Sequence, residues 1–179
     1  MGEQQGLRIQ HRRIREAHDA RRREYAVAPR PLSIRAQVRA VENQLKTASV
    51  GTFTIESDEG AIVGGEARAP TPLSYFVAGL GFAILTDLVR AFALKDVSVD
   101  ELQLEIVADF PLDAKYAERG TAVAAERVRY AVDVGSQASR EKVEAAIEWA
   151  EGFCHALHTV REPVAVEAAY RLNGEVVGI

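Results

Sequence analysis

The sequence predicts an α+β fold, with mostly antiparallel strands packed around a long buried central helix, and three observations carry that prediction. Apolar residues cover nearly every side of a helical segment from Pro72 to Leu94. Segments on both sides of it alternate apolar and polar residues with a period of two, the mark of strands with one buried face. A second helical pattern comes late in the chain, so helices are segregated from strands.

The chain of 179 residues is 47% apolar and 27% charged, the balance of an ordinary globular protein. Its length fits one domain able to bury about 70% of the surface its unfolded chain exposes. The net charge of −4 points to no partner, but charge is unevenly spread. Residues 1–30 hold eight Lys or Arg and four Asp or Glu, leaving 14 and 22 to the rest. A basic N-terminal arm or helix, 1–30, therefore precedes an acidic domain, 31–179. Arg8 to Tyr25 can pair charges at i,i+4, as Arg12 with Glu16 and Arg15 with Asp19, yet Leu7, Ile14 and Ala17 give only a thin apolar stripe. Two readings stand for it: a solvated arm or frayed helix, and an arm packed on a partner subunit. No nucleic-acid partner is expected, because an acidic body repels phosphates and no reader motif accompanies the arginines.

From Ser33 to Ala40 the period is two, with Ile34, Ala36, Val38 and Ala40 on one face, which predicts a half-buried strand. A second strand, Thr52 to Glu56, turns Phe53 and Ile55 inward, and Ser57-Asp58-Glu59-Gly60 supplies a turn before the Gly64-Gly65 loop. Thr71-Pro72 starts the long helix, since a threonine oxygen caps free amides and proline at the first position forfeits no needed donor. Ala69 to Thr86 lacks charge and approaches the length of a short membrane span. Interspersed Gly, Pro, Ser and Thr, and the continuation through Asp87 and Arg90, favour a core helix, so no membrane partner is expected. A helix apolar all round must be surrounded by protein. Gly79 and Ala83, four apart on one face, would admit a neighbouring backbone.

Leu102 to Phe110 alternates cleanly as a strand, and Val128 to Val134 forms another. Ser139 caps a helix whose Val143, Ile147, Ala150 and Cys154 share a buried face, with Cys154 at its C-terminal end. Val164 to Leu172 makes the closing strand, ended by Asn173-Gly174.

The stretch from Phe53 through Gly60 and Gly64-Gly65 to Ala69-Pro70-Thr71-Pro72-Leu73-Ser74-Tyr75-Phe76-Val77-Ala78-Gly79-Leu80-Gly81 resembles the approach to the central helix of the OsmC/Ohr family. Gly152-Phe153-Cys154-His155-Ala156-Leu157-His158-Thr159-Val160 resembles that family's second-cysteine segment, and the likeness spans about Ser33 to Leu172. It implies an intertwined homodimer built around two central helices. It also implies a relation to thiol peroxidases of organic hydroperoxides, in which one cysteine attacks the peroxide, a second resolves the sulfenic acid, and an arginine and a glutamate poise the thiolate. The family pattern opens the helix with Ser/Asn-Pro-Glu and continues with Leu-Gly-x-Cys. Here Thr71-Pro72-Leu73 and Leu80-Gly81-Phe82-Ala83 stand at those places. Ala83 has no nucleophile, Leu73 has no carboxylate, and Arg35 or Arg39 is the counterpart offered for the arginine. Cys154 matches the resolving position, so family-type peroxidase activity is not expected.

As a lone cysteine, Cys154 cannot form an intramolecular bridge, which fits a reducing cytoplasm. No apolar segment follows Arg8 to Arg23, so a secretory signal is not expected. His155 and His158 beside the thiol make an incomplete zinc set with no fourth ligand, so no metal is expected, and no other cofactor either. Two functional readings remain. One is an OsmC-like homodimer whose intersubunit pocket, at Leu73, Phe76, Phe82, Ala83, Arg35 and Arg39, binds an apolar small molecule. The other is a one-cysteine peroxidase that reduces organic hydroperoxides through Cys154.

Overall fold

The computed structural model describes residues 7–116 and 123–177; the first six residues of the basic arm lie outside them. Helix α1 (His11–Val27) is followed by strands β1 (Ala36–Glu42), β2 (Leu45–Val50) and β3 (Phe53–Ser57), a 3-10 turn at Ala61–Val63 and the long helix α2 (Pro72–Leu94). Then come β4 (Glu101–Asp109), a 3-10 turn at Leu112–Tyr116, β5 (Arg127–Gly135), helices α3 (Arg140–Phe153) and α4 (His155–Arg161), and a small hairpin of β6 (Tyr170–Leu172) and β7 (Glu175–Val177). All strand pairs are antiparallel, in the separate sheets β1-β2-β3, β4-β5 and β6-β7.

The expected start of α2 is built as its residue types demand. Thr71 Oγ1 accepts from the Ser74 amide at 3.2 Å, and Pro72 takes the first helical position. The loop leading to it is tied by Asp58, which is 1% exposed. Its carboxylate accepts from the amides of Glu59 at 2.8 Å and of Glu66 and Arg68 at 3.1 Å each. The Arg68 amide contributes most to holding this carboxyl below its ordinary range, against the opposing effect of burial.

The core forms where the C-terminal half of α2 meets α3 and α4. Leu80, Ile84, Leu88, Ala91 and Phe92 pack with Val97, Val99, Ala146, Ala150, Cys154 and Leu157. The alternating faces of β4 and β5 close one side, with Leu104 and Ile106 against the helix. Burying a side chain such as Phe92 or Leu88 contributes about 1.5–3 kcal/mol each. By length and composition α2 passes for a membrane span, but its packing against α1, α3, α4 and β4 is that of a core helix.

The single chain departs from the sequence expectations in several places. The N-terminal half of α2 is not surrounded: Leu73 is 36% exposed, Phe76 47% and Phe82 71%. The strand from Ser33 begins at Ala36, and all of β1 is exposed, as are Phe53 and Ile55. The alternation itself holds, because register aligns Ala36, Val50 and Phe53, and then Val38, Ala48 and Ile55, on one face of the sheet. Among the described residues, Ala36, Val38, Phe53 and Ile55 of that face stay exposed. Third, β2 was not expected, since Lys46, Thr47 and Ser49 blur its apolar pattern. Fourth, the closing strand shrinks to Tyr170–Leu172, and Asn173-Gly174, both at positive φ, turn it into a hairpin.

At Gly79, a Cβ would meet nothing within 4 Å among the described residues beyond its own helix backbone, so no neighbouring backbone among them approaches it. Gly81 is the crowded position instead: a Cβ there would lie 3.3 Å from Ile106 Cγ2 and 3.4 Å from Leu104 Cδ2 of β4.

Candidate functional site

Cys154 sits where α3 ends and α4 begins, in extended conformation, with its carbonyl accepting from the His158 amide at 3.0 Å. It therefore closes one helix and opens the next, which the sequence pattern of a single amphipathic helix did not separate. The thiol is 1% exposed. Burial pushes its pKa up, the Leu157 amide at the start of α4 opposes that, and the Asp87 carboxylate raises it again. Asp87, itself buried, is held by Arg90 at 2.8 Å. Burial and a facing carboxylate both favour the neutral thiol.

Space at the thiol is equally restrictive. The cavity lined by Cys154, Ile84, Leu88, Tyr130, Ile147 and Leu157 measures about 20 Å³, room for one water and for no organic molecule. Tyr130 and Leu157 separate it from a cleft of about 510 Å³ whose walls include Phe76, Leu80, Phe110, Val160 and Arg161. Phe76 meets Phe110 edge to face, with ring centroids 6.5 Å apart. Between cavity and cleft, the Tyr130 hydroxyl donates to Glu151 Oε1 at 2.6 Å, and Arg161 stands 3.7 Å from Glu151 Oε2. Burial first, then the Glu151 carboxylate, push the Tyr130 pKa up to about 12. Near the cleft, Arg129 and Arg127 bind Asp109, Arg129 most strongly, and hold its carboxyl low.

The expected pocket residues do not converge on one site. Phe76 lines the cleft just described, whereas Phe82 lines a groove toward α1. Six residues separate them, about 120° around a helix, so they cannot share one wall. Ala83 is half-buried and packs on the core, and Leu73 lines neither space. Arg35 borders an open depression with Ile34 and Phe53, and Arg39 Nε donates to Thr47 Oγ1 at 3.3 Å. Arg39 lies on β1 and Arg35 just before it, and neither lines a cavity on α2. His158 Nδ1 lies 3.3 Å from Glu162 on its own helix turn, and no cluster of three metal-ligating side chains occurs among the described residues.

Sequence reasoning missed Asp87, Tyr130, Glu151 and Arg161. Asp87 had a signal: four residues after Ala83, it lies on the same helical face. The other three lie on β5, α3 and α4 and meet only in the folded chain, through the Tyr130–Glu151 hydrogen bond and the Arg161–Glu151 ion pair.

The profile of the OsmC-like protein family matches residues 64–169. No curated protein matches the chain in sequence. Solved structures similar in fold include an OsmC-like protein from Mycoplasma pneumoniae, 15% identical with a TM-score of 0.64, covering 75% of this chain and 91% of that one. An OsmC-like hydroperoxide resistance protein from Jannaschia sp. CCS1 is 22% identical with a TM-score of 0.51, covering 79% and 95%. The organic hydroperoxide resistance protein OsmC from Legionella pneumophila is 14% identical with a TM-score of 0.53, covering 74% and 91%.

Proposed function

The chain belongs to the OsmC-like protein family, and we propose that within it this protein is a homodimer that binds an apolar small molecule and does not carry out two-cysteine peroxidase chemistry. The observation that carries this reading is the state of its only thiol: Cys154 is buried, faces Asp87 and has a cavity of about 20 Å³ beside it. A nucleophilic cysteine needs thiolate character and access, and this one has neither. Ala83, at the place where the family resemblance puts the attacking cysteine, leaves no sulfenic acid for Cys154 to resolve.

The ligand site is the cleft of about 510 Å³ at Phe76, Phe110, Leu157 and Val160, a size and lining suited to a small apolar molecule. The second copy covers the apolar sheet face of Ala36, Val38, Ala48, Val50, Phe53 and Ile55. A soluble chain does not leave such a face in water without a partner. A lone free thiol fits a reducing compartment such as the cytoplasm.

Hydroperoxide consumption with a dithiol reductant tests the chemistry. Wild type and Cys154→Ser should show the same near-background rate; turnover that depends on Cys154 would overturn the reading in favour of a one-cysteine peroxidase. Native mass spectrometry of the purified protein should reveal a bound apolar molecule that is lost on Val160→Trp, which fills the cleft. Light scattering should give a dimer, and Phe53→Asp should shift it to monomer.

A further inference from the structure

The N-terminal helix makes a second, separate cavity. Arg15 clamps α1 to the end of α2, donating to the Ala93 carbonyl at 3.2 Å and pairing with Asp96 at 2.8 Å. One turn on, the His18 ring meets Trp149 of α3 edge to face at 6.1 Å. Beyond these two anchors the helices leave a groove of about 730 Å³ between Ile14 and Ala17 on one side and Phe82, Leu85 and Val89 on the other. Its polar rim carries two guanidinium groups, Arg21 and Arg90, with His18 and Thr86, whose hydroxyl donates to the Phe82 carbonyl at 2.7 Å.

We propose that this α1–α2 groove binds an amphipathic carboxylate, an aliphatic chain lying over Phe82, Leu85 and Val89 with its carboxylate on Arg21 and Arg90. Volume and lining are those of a small-ligand site. The head-group chemistry follows from the rim. Arg21 pairs with Glu24 at 2.9 Å and Arg90 with Asp87 at 2.8 Å, each through Nη1. A guanidinium has five donors in a planar fork, so both retain N–H groups for a second carboxylate. Glu24 is in addition shared with Arg30 at 2.6 Å, which leaves the α1 side of the rim with net positive charge. A neutral apolar ligand would leave these donors unused, and a hydrophilic anion would leave exposed Phe82 uncovered.

Trp149 is the only tryptophan and touches His18 at the groove, so it reports on binding in the intact protein. Titration with decanoate should give a saturable change in Trp149 fluorescence and a matching calorimetric isotherm. Decanol should bind at least about tenfold more weakly, the worth of a charge-assisted hydrogen bond, and Arg21→Glu should lose at least as much. By calorimetry, Ala17→Trp, which fills the groove from the exposed side of α1, should abolish binding. Val160→Trp should leave it unchanged, since that residue lines the other cleft. The proposal is overturned by no saturable binding below the micelle concentration, by equal affinity for decanoate and decanol, or by loss on Val160→Trp. Decanoate binding that dissociates the dimer also overturns it, because a second copy would then be the groove's occupant. Failure of the hydroperoxide or light-scattering tests leaves the fluorescence and calorimetric readouts unaffected.

Discussion

Asp87, buried on α2 and held by Arg90 at 2.8 Å, adds its carboxylate to the burial that raises the pKa of the Cys154 thiol at the α3–α4 junction. Two segments 67 positions apart meet there, and burial first, with Asp87 adding to it, keeps the only cysteine from thiolate chemistry.

The first prediction concerns that pair. Alkylation of folded Cys154 by iodoacetamide should be slow at neutral pH, with an apparent pKa above the ordinary thiol value. Asp87→Asn removes a charge that disfavours the thiolate, so it should shift the alkylation profile to lower pH. An unchanged or higher profile in that variant would show that Asp87 has no hold on the thiol.

Alkaline stability follows from Cys154 and Tyr130 together. Both have raised folded-state pKa values, so each binds its proton more tightly when folded. Their contribution is fully present below the ordinary values of 9.0 and 10.0 and is lost as pH rises, through about 12 for Tyr130. Urea unfolding should therefore show declining stability on the alkaline side. Tyr130→Phe should cost about 1 kcal/mol at neutral pH, from the lost bond to Glu151, and flatten part of the alkaline decline.

Asp58 sets the acid side with the opposite sign. Its folded pKa is depressed by the Arg68, Glu59 and Glu66 amides, so its contribution is present above the ordinary value of 3.8 and is lost as pH falls through the lower folded one. The loop from Asp58 to Pro70 should become sensitive to protease on acidification. Asp58→Ala should show that sensitivity already at neutral pH, and equal resistance in the variant would remove Asp58 as the anchor.

Two glycines should respond oppositely to alanine. A Cβ on Gly65 would lie 1.9 Å from the Glu59 carbonyl oxygen, which accepts from the Ala67 amide, so Gly65→Ala should lose about 2 kcal/mol or more of thermal or urea stability. Gly79 is open within the chain, and Gly79→Ala should gain about 0.5–1 kcal/mol if nothing else approaches. A loss at Gly79, accompanied by weaker self-association in light scattering, would place the second copy's backbone against that face.

Periodicity carried most of the fold. The capped start of α2 at Thr71-Pro72, the β4 and β5 alternation and the apolar face of α3 are local patterns, and each formed as its residues require. The weak β2 pattern escaped because Lys46, Thr47 and Ser49 interrupt its apolar side, and pairing with β1 and β3 supplies what its own sequence lacks. The candidate site was less legible. The lone cysteine and the apolar residue at position 83 were plain, and within the single chain the angular spacing of Phe76 and Phe82 sends them to different cavities.

By itself, then, the sequence determined the long central helix, the β4 and β5 strands, the α+β class and the absence of a second thiol, because these depend on residue types and on spacing within one segment. Tertiary structure decided that Cys154 lies sealed against Asp87, that Tyr130, Glu151 and Arg161 meet beside a cleft, and that α1 and α2 enclose a groove. Those relations depend on how distant segments pack, and burial, charge proximity and cavity size arise only from that packing.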